Sequence, residues 1–316
     1  MAIAPGLRPH TAQRGTCSET NPQDMAVLDR MAGRGARPHM DHALLAAQNP
    51  LEGLYAFKTA TDPVSMRLFL GSDFHVDYQQ NLDWLRALSR SEFTDDVLIV
   101  AGDLSDEIDL VKACFDELLP RYARLVFLPG NHDLWTSRSG KGPSFDKFET
   151  LNALCRDYGI ETGPLAIGRT LIVPLLAWYD YSFGEPGPTI RRGWMDFYKC
   201  NWQGLTPAEV AARFDAMNVI PETSGFEAVY SVSHFVPRLD LMPARYPEKH
   251  KALFPVLGTD RLEAQIRRLG SSKHFYGHSH LNRNKVIDGV TYINNAFGYP
   301  SETEISAKTI LHVADL

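Results

Sequence analysis

Three short apolar runs, each closing on a cluster of small and polar residues, place the strongest constraint on this 316-residue chain. Residues 67–70 run into Gly71-Ser72-Asp73-Phe74-His75. Residues 97–101 run into Gly102-Asp103, and residues 125–128 into Pro129-Gly130-Asn131-His132-Asp133. Between and after the runs, apolar positions recur at helical spacing: Leu82, Leu85 and Leu88, then Ile108, Val111, Phe115 and Leu118, then Phe145, Phe148, Leu151 and Cys155. Strand and helix therefore alternate with a repeat of about 30 residues, the size of a βαβ unit. Strands apolar on both faces are expected in a parallel sheet covered by helices.

The pattern continues less regularly downstream. Further strands are expected at 170–176, 228–233, 274–276, 285–288, 290–293 and 309–312, with Asp288-Gly289 as the turn of a hairpin. A helix through Leu262, Ile266 and Leu269 is expected behind Asp260 and Glu263. Two stretches interrupt the sheet. One, about 179–225, is rich in Gly, Pro and aromatics and holds one clear helix start: Thr206 as N-cap, Pro207 behind it and Glu209 completing a capping box. The other, 235–258, carries Pro237, Pro243, Pro247 and Pro255 and reads as an irregular loop. Residues 1–65 mix Arg, Gly, Pro, His and Ala with little periodicity and are expected to be a partly disordered extension. Residues 66–316 form the main domain, in which 179–258 contains cap or substrate-rim insertions.

Composition excludes several classes. A net charge of −6 gives no general attraction to nucleic acid or an anionic membrane. The four cysteines, Cys17, Cys114, Cys155 and Cys200, form no CxxC pair and are expected to be inert thiols in a reducing compartment. The longest apolar run, 171–178, is far short of the roughly 20 residues of a membrane span. The default expectation is a cytoplasmic protein with no membrane partner.

In a parallel sheet the carboxyl ends of neighbouring strands lie side by side, so the three polar clusters converge on one crevice. Later strands add His234 and Gly277-His278-Ser279-His280. Asp, Asn and His offer oxygen and imidazole donors that suit manganese, iron or zinc. Asp73 and His75 are two apart and share a face of an extended strand end, as do His278 and His280. The seven candidate ligands are Asp73, His75, Asp103, Asn131, His234, His278 and His280. That is more than one tetrahedral ion needs. Two metal ions sharing Asp103, whose carboxylate has about four lone-pair sites, account for all of them.

In order, Asp73-x-His75, Gly102-Asp103, Gly130-Asn131-His132-Asp133, His234 and Gly277-His278-Ser279-His280 resemble the five motifs of the calcineurin-like metallophosphoesterases, over residues 66 to about 312. The resemblance implies a four-layer α/β/β/α sandwich with an inserted cap region. It implies that Asp73, His75 and His280 hold one metal, that Asn131, His234 and His278 hold the other, and that Asp103 bridges them. His132 is expected to be a proton donor or transition-state stabiliser, oriented by Asp133.

The expected reaction is hydrolysis of a phosphoric ester with a metal-bound hydroxide as nucleophile. A small-molecule phosphate monoester is the favoured substrate. A phosphodiesterase or nuclease is the nearest rival, though the acidic balance argues against a polyanion. A non-catalytic binding scaffold is a third reading, which the complete ligand set disfavours. Arg238, four residues after His234, is expected to contact a substrate phosphate, and Tyr179 to line the substrate pocket.

Overall fold

Each apolar run forms a strand in the computed structural model, which describes residues 66–316 apart from Ser139, Lys141, Tyr246 and Pro247. The extension expected over residues 1–65 lies outside the described residues. Strands β1 (Arg67–Gly71), β2 (Val97–Val100) and β3 (Arg124–Phe127) pair in parallel, and β10 (Leu311–Asp315) adds antiparallel to β1. Six more strands make a second sheet: β4 (Leu165–Ile167), β5 (Thr170–Pro174), β6 (Ala228–Val232), β7 (Lys273–Tyr276), β8 (Arg283–Ile287) and β9 (Val290–Asn294). Their order is β4-β5-β6-β7-β9-β8, with antiparallel pairing only at the β4–β5 and β8–β9 edges.

Period-2 alternation along these strands sorts their side chains into two cores. Leu68, Leu70, Val97, Ile99, Val126 and Leu128 of the first sheet cluster with Ile172, Tyr230, Val232, Phe275 and Ile293 of the second. The alternate residues Phe69, Leu98, Val100, Leu125 and Phe127 join a core that includes the apolar stripes of the helices. These helices are α1 (Gln79–Ala87), α2 (Ile108–Leu118) and α3 (Ser144–Tyr158) in the first half. In the second half, α6 (Pro207–Met217) and α8 (Arg261–Leu269) serve the same core. The layers are therefore helix, sheet, sheet, helix. The β4 strand was not apparent from sequence, because three residues are too few to display a period.

Local signals behave largely as expected. Thr206 and Glu209 form the reciprocal capping box at the start of α6. Asp288 (φ 49°) and Gly289 (φ 83°) turn the β8–β9 hairpin, both with the positive φ that a type I′ turn demands. Asp260 precedes α8 but makes no side-chain capping bond; the Thr259 hydroxyl accepts the Arg261 N–H instead. The two interrupting stretches are more structured than the sequence suggested. The first carries the short helices α4 (Pro188–Gly193) and α5 (Asp196–Lys199). The second carries α7 (Glu248–Lys251) and two 3-10 turns, Leu239–Leu241 and Phe254–Val256. Among the described residues, no helix is long and apolar enough to cross a membrane.

Candidate metal centre

The loops that leave β1 and β2 are tied to one another by backbone bonds. The N–H groups of Asp73, His75 and Val76 donate to the carbonyls of Gly102, Asp103 and Leu104 at 2.9–3.0 Å. The second sheet joins them through the segment after β9, where Phe297 N–H donates to Ser72 O and Gly298 N–H to Asp73 O. The clusters that follow separate strands thus meet at one end of the sandwich.

Within this end, Asp73, His75, Asp103 and His280 bring one ligand atom each within 4.8 Å of one another, and Asp103, His234 and His278 do the same. Asp103 belongs to both groups, and all six side chains are buried. Asn131 joins the second group, with Oδ1 3.1 Å from His234 Nε2. Close approach also explains Gly130: a Cβ there would lie 2.2 Å from Asp103 Oδ1, so a side chain would displace the shared carboxylate.

Backbone strain is concentrated here. Asp73, His75, Asp103, His278 and His280 all have positive φ, between 43° and 66°. Such conformations cost on the order of 1–3 kcal/mol each and persist only where the surroundings over-determine them. Asp133 supplies much of that determination. Its buried carboxylate accepts the N–H groups of Asp103 and Gly130 through Oδ2, and those of Leu104 and Ser105 through Oδ1. Both oxygens are engaged by backbone, so Asp133 pins the second and third loops together and does not orient the His132 ring. That corrects the role expected of it. Burial raises its pKa to about 6, against the pull of the four N–H donors.

The imidazole tautomers decide whether the cluster suits a metal. His234 Nδ1–H donates to Ala101 O at 2.9 Å and His278 Nε2–H donates to Val256 O at 2.9 Å. The remaining nitrogens, His234 Nε2 and His278 Nδ1, then face each other at 3.2 Å as two lone-pair acceptors. Two acceptors cannot bond each other; they suit a shared Lewis acid. His280 repeats the pattern: its Nδ1 lies 2.6 Å from Glu302 Oε2, and its Nε2 faces His75 Nε2 at 3.0 Å. Burial and the neighbouring Asp73 push Asp103 well above the usual carboxylate range, and burial holds His278 down at about 3. Asp73 and His280 shift the other way: against the cost of burial, their 3.3 Å contact lowers the Asp73 pKa and helps raise that of His280 to about 9. The donor atoms of the cluster fit cations.

His132 sits at the edge of the cluster. Its side chain keeps 15% exposure, its ring stacks on Trp135 with centroids 3.6 Å apart, and its Nε2 is 3.9 Å from Asp103 Oδ2. Tyr299 packs against His75 and His280 at 4.5 and 4.9 Å.

Two expected substrate contacts are not brought to this cluster. Arg238 is held bidentately by Asp240 at 2.9 Å on each oxygen and by Glu263 at 2.9 Å, so its guanidinium is committed to ion pairs. Tyr179 is 1% exposed, packed against Trp178 and Phe235, with its hydroxyl hydrogen-bonded to Asp196. It belongs to the aromatic core of the insertion. A cavity of about 360 Å³ lies in that insertion; Tyr179, Asp196 and Trp202 line it, but none of the seven ligands does. Sequence reasoning missed Glu302, Asp196, Trp135 and the Val256 carbonyl. Only Trp135, directly behind the Asn131–Asp133 cluster, carried a positional hint.

Residues 66–202 match the family model of calcineurin-like phosphoesterases, a match that together with the buried Asp and His cluster supports a metal-dependent phosphoester hydrolase. The chain is similar to the [acyl-carrier-protein] phosphodiesterase PptH of Mycobacterium tuberculosis, with 27% identity over 262 residues, covering 73% of this chain and 77% of that protein. The crystal structure of the Mycobacterium tuberculosis phosphopantetheinyl hydrolase PptH superposes with a TM-score of 0.68 and 24% identity, covering 79% of this chain and 96% of the solved one. That likeness supports the four-layer fold.

Proposed function

We propose that this protein hydrolyses a phosphodiester, and that its substrate is a phosphopantetheinyl group carried on an acyl carrier protein. The observation that carries this reading is the similarity, over most of both chains, to a relative whose name specifies that linkage. It reverses the order of preference suggested by sequence, where a monoester came first. The commitment of Arg238 points the same way. A monoester carries more negative charge than a diester, and the arginine expected to meet it is neutralised by Asp240 and Glu263.

In this reading Asp73, His75 and His280 hold one metal, Asn131, His234 and His278 hold the second, and Asp103 is shared. Manganese, iron and zinc all suit these nitrogen and oxygen donors. Bound metals would neutralise phosphate charge and lower the pKa of water. The chain's own residues do the rest. Asp133 holds two ligand loops in register, and Glu302 keeps His280 Nε2 turned inward. His132, stacked on Trp135 and the most exposed imidazole at the site, hydrogen-bonds a phosphate oxygen or protonates the departing alkoxide.

The test uses full-length protein with Mn²⁺. Incubation with phosphopantetheinylated carrier protein should return the unmodified carrier, read by intact mass. Bis-p-nitrophenyl phosphate should be cleaved faster than p-nitrophenyl phosphate. Turnover of the monoester alone, with the carrier protein unchanged, would restore the phosphomonoesterase reading.

A further inference from the structure

Among the described residues, the insertion between β5 and β6 meets the metal centre through Trp194, whose ring lies edge-on to His278 with centroids 6.0 Å apart, and through Asp196 of α5. Asp196 is 2% exposed. Its Oδ1 accepts Asn131 Nδ2–H at 2.9 Å and Trp135 Nε1–H at 2.6 Å, while Oδ2 accepts Trp194 Nε1–H at 2.8 Å. At the other end of α5, the Lys199 ammonium lies 4.0 Å over the Trp135 ring and the Lys199 carbonyl accepts Thr136 N–H at 2.8 Å. Trp135 in turn stacks on His132.

The chemistry of Asn131 makes this contact consequential. A side-chain amide has an oxygen that can ligate a metal and an NH₂ that cannot, and rotation by half a turn exchanges them. An ionised carboxylate only accepts, so Asp196 takes the NH₂ of Asn131. The Asn131 oxygen is thereby turned toward His234 Nε2, 3.1 Å away. The donor and acceptor inventory alone fixes the orientation.

We propose that Asp196 is a positioning residue that presents the Asn131 oxygen to the metal held with Asp103, His234 and His278, and that steadies the Trp135 face against which His132 stacks. Through it, the inserted segment sets the affinity of one half of the metal centre. This rests on Asn131 being a ligand, but on no particular substrate. Outer partners of metal ligands typically contribute about 10–100-fold in affinity.

The experiment is calorimetric titration of metal-free, full-length protein with Mn²⁺, comparing wild type, Asp196→Ala, Asn131→Ala and the double variant. Asp196→Ala should weaken one of two binding events by about 10-fold or more and leave the other unchanged. Because Asp196 acts through Asn131, the double variant should bind as Asn131→Ala does. Equal weakening of both events, additive losses in the double variant, or unchanged binding in either single variant would overturn the proposal. Should Asp196→Ala fail to fold by near-ultraviolet circular dichroism, Asp196→Asn replaces it. That variant keeps the shape and should weaken the same event to a smaller degree; unchanged binding there overturns the proposal equally. Hydrolysis enters none of these readings, so an error over the phosphodiester substrate would leave the outcome intact.

Discussion

The strand-end loops and the 179–258 insertions both border the metal centre, but they contribute to it in opposite ways. The loops after β1, β2 and β3 place side chains directly into the ligand cluster and do so with positive-φ backbone at Asp73, His75 and Asp103. Neither insertion, 179–225 or 235–258, holds a member of the candidate ligand groups; His234 lies between them, directly after β6. They support the candidate ligands from behind: Asp196 holds Asn131, and Val256 O holds His278. Their aromatics, among them Trp178, Tyr179, Trp202 and Phe235, pack on one another. The difference teaches that ligand identity is set by the sheets, while ligand orientation is set by elements distant in sequence.

That division can be broken most severely at the shared carboxylate. Asp103→Ala should lower hydrolysis of bis-p-nitrophenyl phosphate by about 10³-fold or more, because it disrupts both ligand groups. Metal content by atomic emission should fall in parallel. Retained activity in metal-depleted Asp103→Ala protein would contradict the whole assignment. His132→Ala is the next largest, expected to reduce kcat by about 10²–10⁴-fold. Metal content should be unchanged, since His132 lies beside the ligand groups; a loss of metal would mean that it is a ligand.

The supporting residues should give smaller and more selective effects. Glu302→Gln removes the charged acceptor at His280 Nδ1 and should weaken metal binding by about 10–100-fold, measured by titration with Mn²⁺. Arg238→Ala sits at the small end. It should leave KM and kcat within about twofold and cost roughly 1–2 kcal/mol in thermal or urea unfolding, a range discounted for its partial exposure. A large rise in KM would return Arg238 to the substrate site.

Much of the fold was legible because its signals are local. Apolar runs of four or five residues and helical spacing of Val111, Phe115 and Leu118 need no knowledge of partners. The convergence of the candidate ligands was legible because each follows a strand, and strand ends in such sheets converge. Arg238 shows where that reasoning fails. Its distance from His234 in sequence suggested reach, but the decisive neighbours are Asp240, Glu263 and Asp288, two of them more than twenty residues away. Asp133 failed differently: its proximity to His132 suggested a bond between side chains, yet four backbone N–H groups had the stronger claim.

By itself the sequence determined the alternation of strand and helix, the seven donors and the class of chemistry they permit, because these follow from side-chain type and short-range period. Only the tertiary structure decided which nitrogen of His234, His278 and His280 faces inward, and which way the Asn131 amide is turned. Those choices depend on hydrogen-bond partners, Ala101 O, Val256 O, Glu302 and Asp196, that the chain brings close only when both sheets and the insertion have packed.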